Sequence, residues 1–329
     1  MLMKLILGIE TTAHTFGVGI VTDKGEVLAN SKDSFTTTHG GMIPAEVGEH
    51  HFDVWQKVLD DALHEAKIKL NDVDVFSYSR GPGIGNCLRV GAFVARCLAL
   101  KYKKPLVGVN HCIAHLSIGA LRTKAKDPIL LYASGANTQV IAFQAGKYRV
   151  FGETLDQGVG NFIDSAAREL GLGFPGGPLL EKLAAHGKNF IELPYTVKGM
   201  DVSFGGLFTN VKQKIDSKKF TKEDIAFSIQ ETVFAMLVEV AERALAHTGK
   251  KELVLGGGVA CNARLQEMCR MMCDERGAQS FCPEREFLTD NGAMIAWQGW
   301  LECKAGKKDK ISDKILPYWR TDDVDVEWL

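Results

Sequence analysis

Two histidines spaced for metal binding are the first residues in this sequence that could do chemistry. His111 and His115 stand four residues apart in the segment NHCIAH, so on a helix both imidazoles project from one face and can share a metal ion. The segment follows a predicted strand, PLVGVN, and the ends of strands are common places for sites in α/β proteins. Packing within a core is the alternative role for the pair. Because Cys112 follows His111, the HExxH pattern of a zinc protease is missing, which disfavours that class.

A third metal ligand has two candidates. Asp290 opens a predicted helix in FLTDNGAM, where an aspartate more commonly caps the helix by accepting backbone N–H bonds. Tyr132 lies near the end of a predicted strand, ILLYA. Two histidines and one carboxylate with open coordination positions suit Zn or Fe(II). The sequence does not choose between these two metals.

Three loops of glycine and small hydroxyl residues follow predicted strands and suit an anion. Short side chains there let backbone N–H groups approach a phosphate closely, although tight packing is the alternative reason for such residues. No Lys-Ser or Lys-Thr pair follows the glycines, so a P-loop NTPase is excluded. The loops are ETTAHT at 10–15, SGANT at 134–138 and LGGGVACN at 255–262.

A further glycine-rich region carries two carboxylates of interest. It contains GNFID at 160–164 and FPGGP at 174–178, with Glu181 shortly after. Asp164 and Glu181 could hold the hydroxyls of a ribose, while Gly177 would give a nucleoside access to the backbone. A surface loop punctuated by Gly and Pro is the alternative interpretation.

The composition indicates a folded chain with nearly balanced charge. Of its 329 residues, 46% are hydrophobic, and 39 Lys and Arg face 40 Asp and Glu, which gives a net charge of −1. A nucleic-acid site must therefore be a local basic patch. Eight cysteines in a chain of this length predict reduced thiols and a cytoplasmic location. No stretch reaches the roughly 18 apolar residues of a membrane span, so no membrane association is expected.

A three-stranded pattern of short apolar runs occurs twice, in the first 30 residues and again at 129–154. We interpret this as an internal duplication with a period near 124 residues. Strands alternating with helices after each copy predict α/β architecture in both halves. We predict domains at 1–125 and 126–329, with the last helix able to cross over, and a glycine-rich insertion at about 156–220 that is irregular from 160 to 220. A helix is also predicted at 49–67, with Phe52 on its apolar stripe.

Several separated motifs, in one order, resemble the tRNA N6-adenosine threonylcarbamoyltransferase family (TsaD/Gcp type), in particular the archaeal catalytic subunit of the KEOPS complex. The resemblance runs from about Leu5 to Val324. It implies a duplicated actin-like ATPase fold, of the sugar kinase and heat-shock ATPase superfamily, with two facing domains and a nucleotide cleft. The motifs are NHCIAH, YASGANTQ, GNFIDSAARELGLGFPGGP, LGGGVACN and TDNGAMIA.

The resemblance also implies a reaction and its participants. The family transfers a threonylcarbamoyl group from threonylcarbamoyl-AMP to N6 of adenosine 37 in tRNAs that read codons beginning with A. It implies one divalent metal per chain, Fe or Zn, and an adenine nucleotide, either threonylcarbamoyl-AMP or ATP. The implied partners are tRNA and KEOPS-type subunits, which include a small kinase, fused to the chain in some relatives, and a small dimerising subunit.

Site residues follow from the resemblance position by position. The implied metal ligands are His111, His115 and Asp290, with Tyr132 also near the metal. The residues implied to contact the adenylate are Tyr132, Ala133, Ser134, Gly135, Ala136, Asp164, Gly177, Glu181 and Asn262. Ala136 stands where the family usually has glycine, so a backbone approach there is expected to be more crowded. No residue is identified as the general base, although Glu10 is considered for that role.

Two other functions remain open from the sequence. A regulatory ATPase would hydrolyse ATP and tolerate the loss of His111, and a scaffold subunit would bind nucleotide while supporting a kinase partner. The basic segment KAGKKDK, near the C-terminal end, suits a surface contact or a linker. Transfer of a group to tRNA also needs a basic surface. The basic candidates are Arg80, Arg89, Arg96, Lys101, Lys103, Lys104, Lys212, Lys214, Lys218 and Lys219.

Overall fold

The computed structural model describes residues 3–37 and 42–329. Its contacts divide the chain into two compact units. One unit contains the N-terminal part as far as Arg122 together with Asp290–Leu329, and the other contains Thr123–Thr289. The sequence-based division assigned residues 126–329 to the second domain, with the last helix able to cross over to the first. The whole of Asp290–Leu329 belongs to the first unit because its helix packs against the first sheet.

The first unit is built on one mixed sheet with helices. Within the described residues, its strand order is β3-β2-β1-β4-β5, in which β1, β2 and β3 pair antiparallel and β1, β4 and β5 pair parallel. Its elements are β1 (Leu5–Glu10), β2 (Thr15–Thr22), β3 (Val27–Ser34), α1 (Pro44–Ala66), β4 (Val75–Gly81), α2 (Gly85–Tyr102), β5 (Leu106–Asn110) and α3 (His111–Thr123).

The second unit repeats this plan. Among the residues described, its larger sheet has the order β12-β11-β6-β7-β8, which matches the first sheet read from the other edge, so the predicted duplication is confirmed. Its elements are β6 (Ile129–Ala133), β7 (Thr138–Gln144), β8 (Lys147–Glu153), α4 (Val159–Glu169), α5 (Gly176–Ala184), β9 (Val197–Lys198), β10 (Asp201–Val202), α6 (Gly205–Asp216), α7 (Lys222–Thr248), β11 (Glu252–Gly256), α8 (Ala263–Glu275), β12 (Gln279–Phe281) and α9 (Arg285–Leu288).

A last helix, α10 (Gly292–Lys304), returns to the first sheet and packs on it through glycine. A Cβ atom at Gly19 would lie 2.0 Å from the Ala293 nitrogen, and one at Gly292 would lie 2.0 Å from the Gly19 nitrogen. Helix and strand backbones therefore meet where a side chain cannot fit. This packing fixes the start of α10, and with it the loop that carries Asp290.

We expect Gly19→Ala to lower the free energy of unfolding by about 1–3 kcal/mol, because an added methyl group overpacks the contact between β2 and α10. Urea denaturation of the full chain measures the change. Gly206→Ala is the control, since nothing lies within 4 Å of a Cβ there and the site is in α6. That variant should be neutral or stabilising by up to about 1 kcal/mol. Equal effects of the two substitutions would contradict the close packing.

Two sequence predictions about the elements are wrong. The segment at 156–220 is not irregular, because it contains α4, α5 and α6 and the β9–β10 pair. In α4 the apolar residues Phe162, Ile163 and Ala166 recur at helical spacing and are buried, while the glycines lie at helix starts and between helices. Helix α1 begins earlier than predicted, and Phe52 is 61% exposed because His51 faces the core instead.

The predictions about cysteines and membrane spans can also be compared with the structure. All eight cysteines are free thiols in the structure. Along the parts of the chain that the structure describes, no helix has both the length and the apolar character needed to cross a bilayer.

Candidate active site

The two histidines are positioned by the junction of β5 and α3. Asn110 ends β5, and its side-chain Oδ1 accepts hydrogen bonds from the N–H groups of Cys112 (3.0 Å) and Ile113 (3.3 Å). This cap allows α3 to begin at His111, directly after the end of β5. His111 therefore occupies the first turn of α3 and His115 lies one turn later on the same face, as the spacing predicted.

Asp290 completes a three-residue cluster in the first unit. Its Oδ1 lies 3.4 Å from Nε2 of His111 and 3.3 Å from Nε2 of His115. One ligand atom from each of the three residues lies within 4.8 Å of the other two, and both histidines are buried. Two imidazole nitrogens and a carboxylate oxygen converging in this way fit a divalent transition metal.

Capping of α10 is not the role of Asp290. The N-cap residue is Asn291, whose side chain accepts a hydrogen bond from the Met294 N–H at 2.9 Å. Asp290 is thus the residue just before the cap, and its carboxylate is directed at the histidines. The alternative interpretation of Asp290 as a capping residue is therefore wrong.

Glu10 supports the histidine pair from the end of β1. Its Oε2 lies 3.0 Å from Nδ1 of His111, and its Oε1 accepts hydrogen bonds from the N–H and the hydroxyl of Thr12, both at 2.6 Å. The Glu10 side chain is fully buried. When Nδ1–H of His111 donates to this carboxylate, the lone pair of Nε2 faces Asp290, which is the tautomer that a metal requires.

Burial and the neighbouring charges shift the pKa values of the groups in the cluster. Burial opposes a charge on His111, but Glu10 and Asp290 raise the pKa of His111 to about 8. Burial lowers the pKa of His115. Burial would raise the pKa of Asp290, yet His111 and His115 more than offset this and hold it well below its usual range. One buried carboxylate, Glu10, and one partly buried carboxylate, Asp290, therefore lie beside this pair, and their negative charge favours a cation.

The predicted loop at 134–138 in the second unit is a tight turn packed against α4. The Ser134 N–H donates to the Asn137 carbonyl at 2.9 Å, and the N–H groups of Gly160 and Asn161 donate to the carbonyls of Ser134 and Gly135 at 3.0 and 2.9 Å. Ala136 is exposed and has no left-handed backbone conformation, so its methyl group is accommodated without strain. The loop is thus fixed by the start of α4.

Asp164 and Glu181, two other predicted nucleotide residues, accept hydrogen bonds from the backbone of neighbouring segments. Oδ1 of Asp164 accepts from the Gly176 N–H at 2.8 Å, and Oε1 of Glu181 accepts from the Ala263 N–H at 2.8 Å. Nothing lies within 4 Å of a Cβ placed on Gly177, so its backbone is open. The structure therefore connects the predicted residues of α4, α5 and the start of α8. It also shows structural roles for both carboxylates, which the sequence did not reveal.

We expect Asn262→Ala to destabilise the protein by about 0.5–2 kcal/mol, because Asn262 caps α8. Its Oδ1 accepts from the N–H groups of Arg264 (2.9 Å) and Leu265 (3.3 Å), and its Nδ2 donates to Gln230 (3.0 Å). Asn262→Asp, which keeps the cap but loses the donor, is the matched control. Thermal unfolding should show the smaller loss for aspartate, and the reverse order would contradict the capping role.

Tyr132 and several of the basic candidates for tRNA binding also have defined surroundings in the structure. Tyr132 is 1% exposed and lies in β6, in the second unit, so its proximity to the metal ligands stays a prediction. Arg80 and Arg96 do not offer free guanidinium groups to tRNA, because they bond the carbonyls of Lys314 and Asp313 near the C-terminal end. Lys212 pairs with Glu169, and Lys104 with Asp74.

Comparison with known proteins identifies the family. The family model for TsaD, tRNA N6-adenosine threonylcarbamoyltransferase, matches residues 26–297. A tRNA N6-adenosine threonylcarbamoyltransferase of Thermococcus sibiricus is 54% identical over 98% of this chain and 100% of the relative. A protein of Methanocaldococcus jannaschii, described as a probable bifunctional tRNA threonylcarbamoyladenosine biosynthesis protein, is 50% identical over 99% of this chain and 60% of its own length.

Solved structures agree on the fold. HypF of T. kodakarensis aligns with a TM-score of 0.63 at 15% identity, over 90% of this chain and 48% of that one. Component A of the (R)-2-hydroxyglutaryl-CoA dehydratase of Acidaminococcus fermentans aligns with a TM-score of 0.57 at 15% identity, over 92% of this chain and 100% of that one. Both likenesses support the actin-like ATPase fold. With matches over nearly its whole length, the chain belongs to the tRNA N6-adenosine threonylcarbamoyltransferase family, TsaD.

Proposed function

We propose that this chain transfers the threonylcarbamoyl group from threonylcarbamoyl-AMP to N6 of adenosine 37 in tRNAs reading codons that begin with A, with one divalent ion, Fe or Zn, bound by His111, His115 and Asp290. Family membership supports the reaction. The observation that carries the metal assignment is the buried cluster itself, in which one carboxylate oxygen lies within 3.4 Å of both Nε2 atoms.

The reaction makes particular demands on the protein. The adenine amine is a poor nucleophile because its lone pair is delocalised into the purine, whereas AMP is a good leaving group from a mixed anhydride. Positioning and the stabilisation of developing negative charge should therefore dominate catalysis. A divalent ion at this site would supply Lewis acidity and a template for an oxygen of the substrate.

The chain's own residues prepare this site. Glu10 holds the proton on Nδ1 of His111, so that Nε2 stays available as a ligand, and burial of the cluster limits competition from water. Both oxygens of Glu10 are engaged with His111 and Thr12. We therefore assign Glu10 a supporting role and leave the general base unassigned.

We place the adenylate on the second unit, at the turn that contains Ser134 and Gly135, the open backbone of Gly177 and the side chains of Asp164, Glu181 and Asn262. Support comes from the hydrogen bonds that connect these segments and from the small residues at the turn. Backbone N–H groups beside small residues suit a phosphate. Tyr132 is proposed as a further contact of the metal and adenylate.

We further propose that the chain works in the cytoplasm with KEOPS-type subunits, including a small kinase and a small dimerising subunit. The M. jannaschii relative is described as bifunctional, and this chain spans 60% of its length. That description supports a second activity in the same pathway as a partner function.

Transfer from purified components tests the proposal. The full chain, its partners, threonylcarbamoyl-AMP and an unmodified tRNA are combined, and nucleosides from the digested tRNA are separated by chromatography. Threonylcarbamoyladenosine at position 37 is expected. ATP hydrolysis without any modified adenosine would overturn the proposal and favour a regulatory ATPase or a scaffold subunit.

A further inference from the structure

A C-terminal strap, residues 304–320, runs over the first unit after α10 ends. The Asp309 N–H donates to the Leu106 carbonyl at 2.8 Å, and Oδ2 of Asp309 accepts from the Gly108 N–H at 2.8 Å. Lys307 also donates to the Gly108 carbonyl at 3.1 Å. The strap is therefore bonded along β5, the edge strand of the first sheet.

The strap is held on both sides of one exposed aromatic residue, Tyr318. Just before it, the Leu316 N–H donates to the Arg80 carbonyl at 2.8 Å and the Pro317 carbonyl accepts from the Gly83 N–H at 3.0 Å. Just after it, the Trp319 ring packs against the cations of Arg80 and Lys307, whose charged groups lie 5.8 and 5.5 Å from the ring centroid.

Tyr318 itself points away from the protein, and its exposed fraction is 94%. A single exposed aromatic side chain on a mobile tail needs no explanation. Here, however, hydrogen bonds hold the backbone before Tyr318 and ring contacts hold Trp319 after it, so the Tyr318 ring is presented at a defined place. A rigid, open aromatic face is the feature that stacking of a nucleobase requires.

The strap is connected to the proposed metal ligands by a series of hydrogen bonds. Gly83, which bonds Pro317, precedes Ile84, whose N–H donates to the Thr12 carbonyl at 2.8 Å. The Thr12 hydroxyl lies 3.2 Å from Nδ1 of His111. The exposed face of Tyr318 is therefore on the same unit as the proposed metal ligands and linked to them through two loops.

The charge of the strap is opposite to that of the whole chain. Residues 304–320 carry six Lys and Arg and two Asp, which gives a net charge of +4, while the chain as a whole carries −1. Lys308, Lys310 and Lys314 are exposed. Basic residues in the same segment as an exposed aromatic ring offer both phosphate attraction and base stacking, the two features that sites for single-stranded nucleic acid combine.

We propose that the C-terminal strap contacts the anticodon loop of the tRNA substrate, with Tyr318 stacking on an unpaired base and the strap lysines facing its phosphates. This inference rests on the proposed function, since it names the surface that receives the same substrate. Loops of RNA expose unstacked bases that aromatic side chains recognise. Tyr318 is thus a positioning residue for the target adenosine.

Tyr318→Ala in the full chain with its partners tests the inference. We expect the Kd for tRNA and the KM for tRNA to rise about 5-fold to 100-fold, which corresponds to the loss of one stacked base. The kcat at saturating tRNA should change little. Tyr318→Phe keeps the ring and should retain wild-type values, and Phe190→Ala, an exposed aromatic of the second unit, is the control.

A double variant, Lys308→Gln with Lys310→Gln, tests the phosphate contacts separately. The affinity for tRNA is measured over a range of salt concentrations, and log K is plotted against log salt concentration. If each lysine neutralises one phosphate, the slope for the double variant should be less steep than that for wild type by about 1.4. A slope equal to that of the wild type would show that these two lysines do not contact tRNA phosphates.

Three results would overturn the inference. These are unchanged tRNA affinity and KM in Tyr318→Ala, equal losses in the alanine and phenylalanine variants, and altered assembly with partner subunits while tRNA affinity stays constant. The last result would assign the strap to a protein partner. If the proposed function were wrong but the inference about the strap were right, wild-type protein would bind tRNA in a Tyr318-dependent way but form no modified adenosine.

Discussion

Replacing His111 or His115 with alanine is expected to lower the rate of threonylcarbamoyl transfer by on the order of 10³-fold. Each variant removes one of three metal-ligand side chains whose atoms lie within 4.8 Å of one another, and a carboxylate then loses its histidine partner. Loss of several kcal/mol of transition-state stabilisation by the metal corresponds to that factor. Modified adenosine formed per minute, measured by nucleoside chromatography, gives the rate.

The design needs a histidine control that leaves the fold intact. His186→Ala removes an exposed histidine of the second unit and should keep the wild-type rate. Unfolding in urea, measured for all three variants, separates a lost ligand from a lost fold. If His111→Ala transferred at the wild-type rate, His111 and its neighbours would be structural residues.

Glu10→Ala is expected to weaken metal binding by about 10-fold to 100-fold, which is typical when the residue that orients a metal-binding histidine is removed. Without the carboxylate 3.0 Å from Nδ1, His111 is free to adopt the tautomer that places a proton on Nε2. Titration of the metal-free protein with Zn²⁺, against a competing chelator dye, measures the affinity directly. Transfer at limiting metal should fall in parallel.

The controls distinguish orientation from charge. Glu26→Ala removes an exposed glutamate of the same unit and should leave metal affinity unchanged. Glu10→Gln keeps an oxygen that can accept from Nδ1–H and should lie between alanine and wild type. A Glu10→Ala protein with wild-type affinity would show that His111 needs no help from this side chain.

The sequence predicted those parts of the site that depend on local spacing. The pair His111 and His115 was predictable because side chains four residues apart lie on the same face of a helix. The duplication was predictable because the same pattern of apolar runs occurs twice. The resemblance implied the role of Asp290, but local spacing did not decide it, because Asp290 and Asn291 are both common capping residues and only the backbone shows that Asn291 is the cap.

Other features depend on contacts between distant parts of the chain. Glu10 meets His111 across 101 residues, and nothing local to Glu10 signals a histidine partner. The helices of 156–220 were missed because glycines were interpreted as loop residues, although the buried spacing of Phe162, Ile163 and Ala166 in α4 indicates a helix. The strap on β5 depends on pairing across the fold in the same way.

The metal content of the purified chain tests the central claim most directly. Wild type, His111→Ala and His186→Ala are prepared both aerobically and anaerobically, and their metals are measured by mass spectrometry. The account predicts about one Fe or Zn per chain in wild type and in His186→Ala, and its loss in His111→Ala. Equal metal in all three proteins, or none in wild type under either condition, would contradict a metal centre at His111, His115 and Asp290.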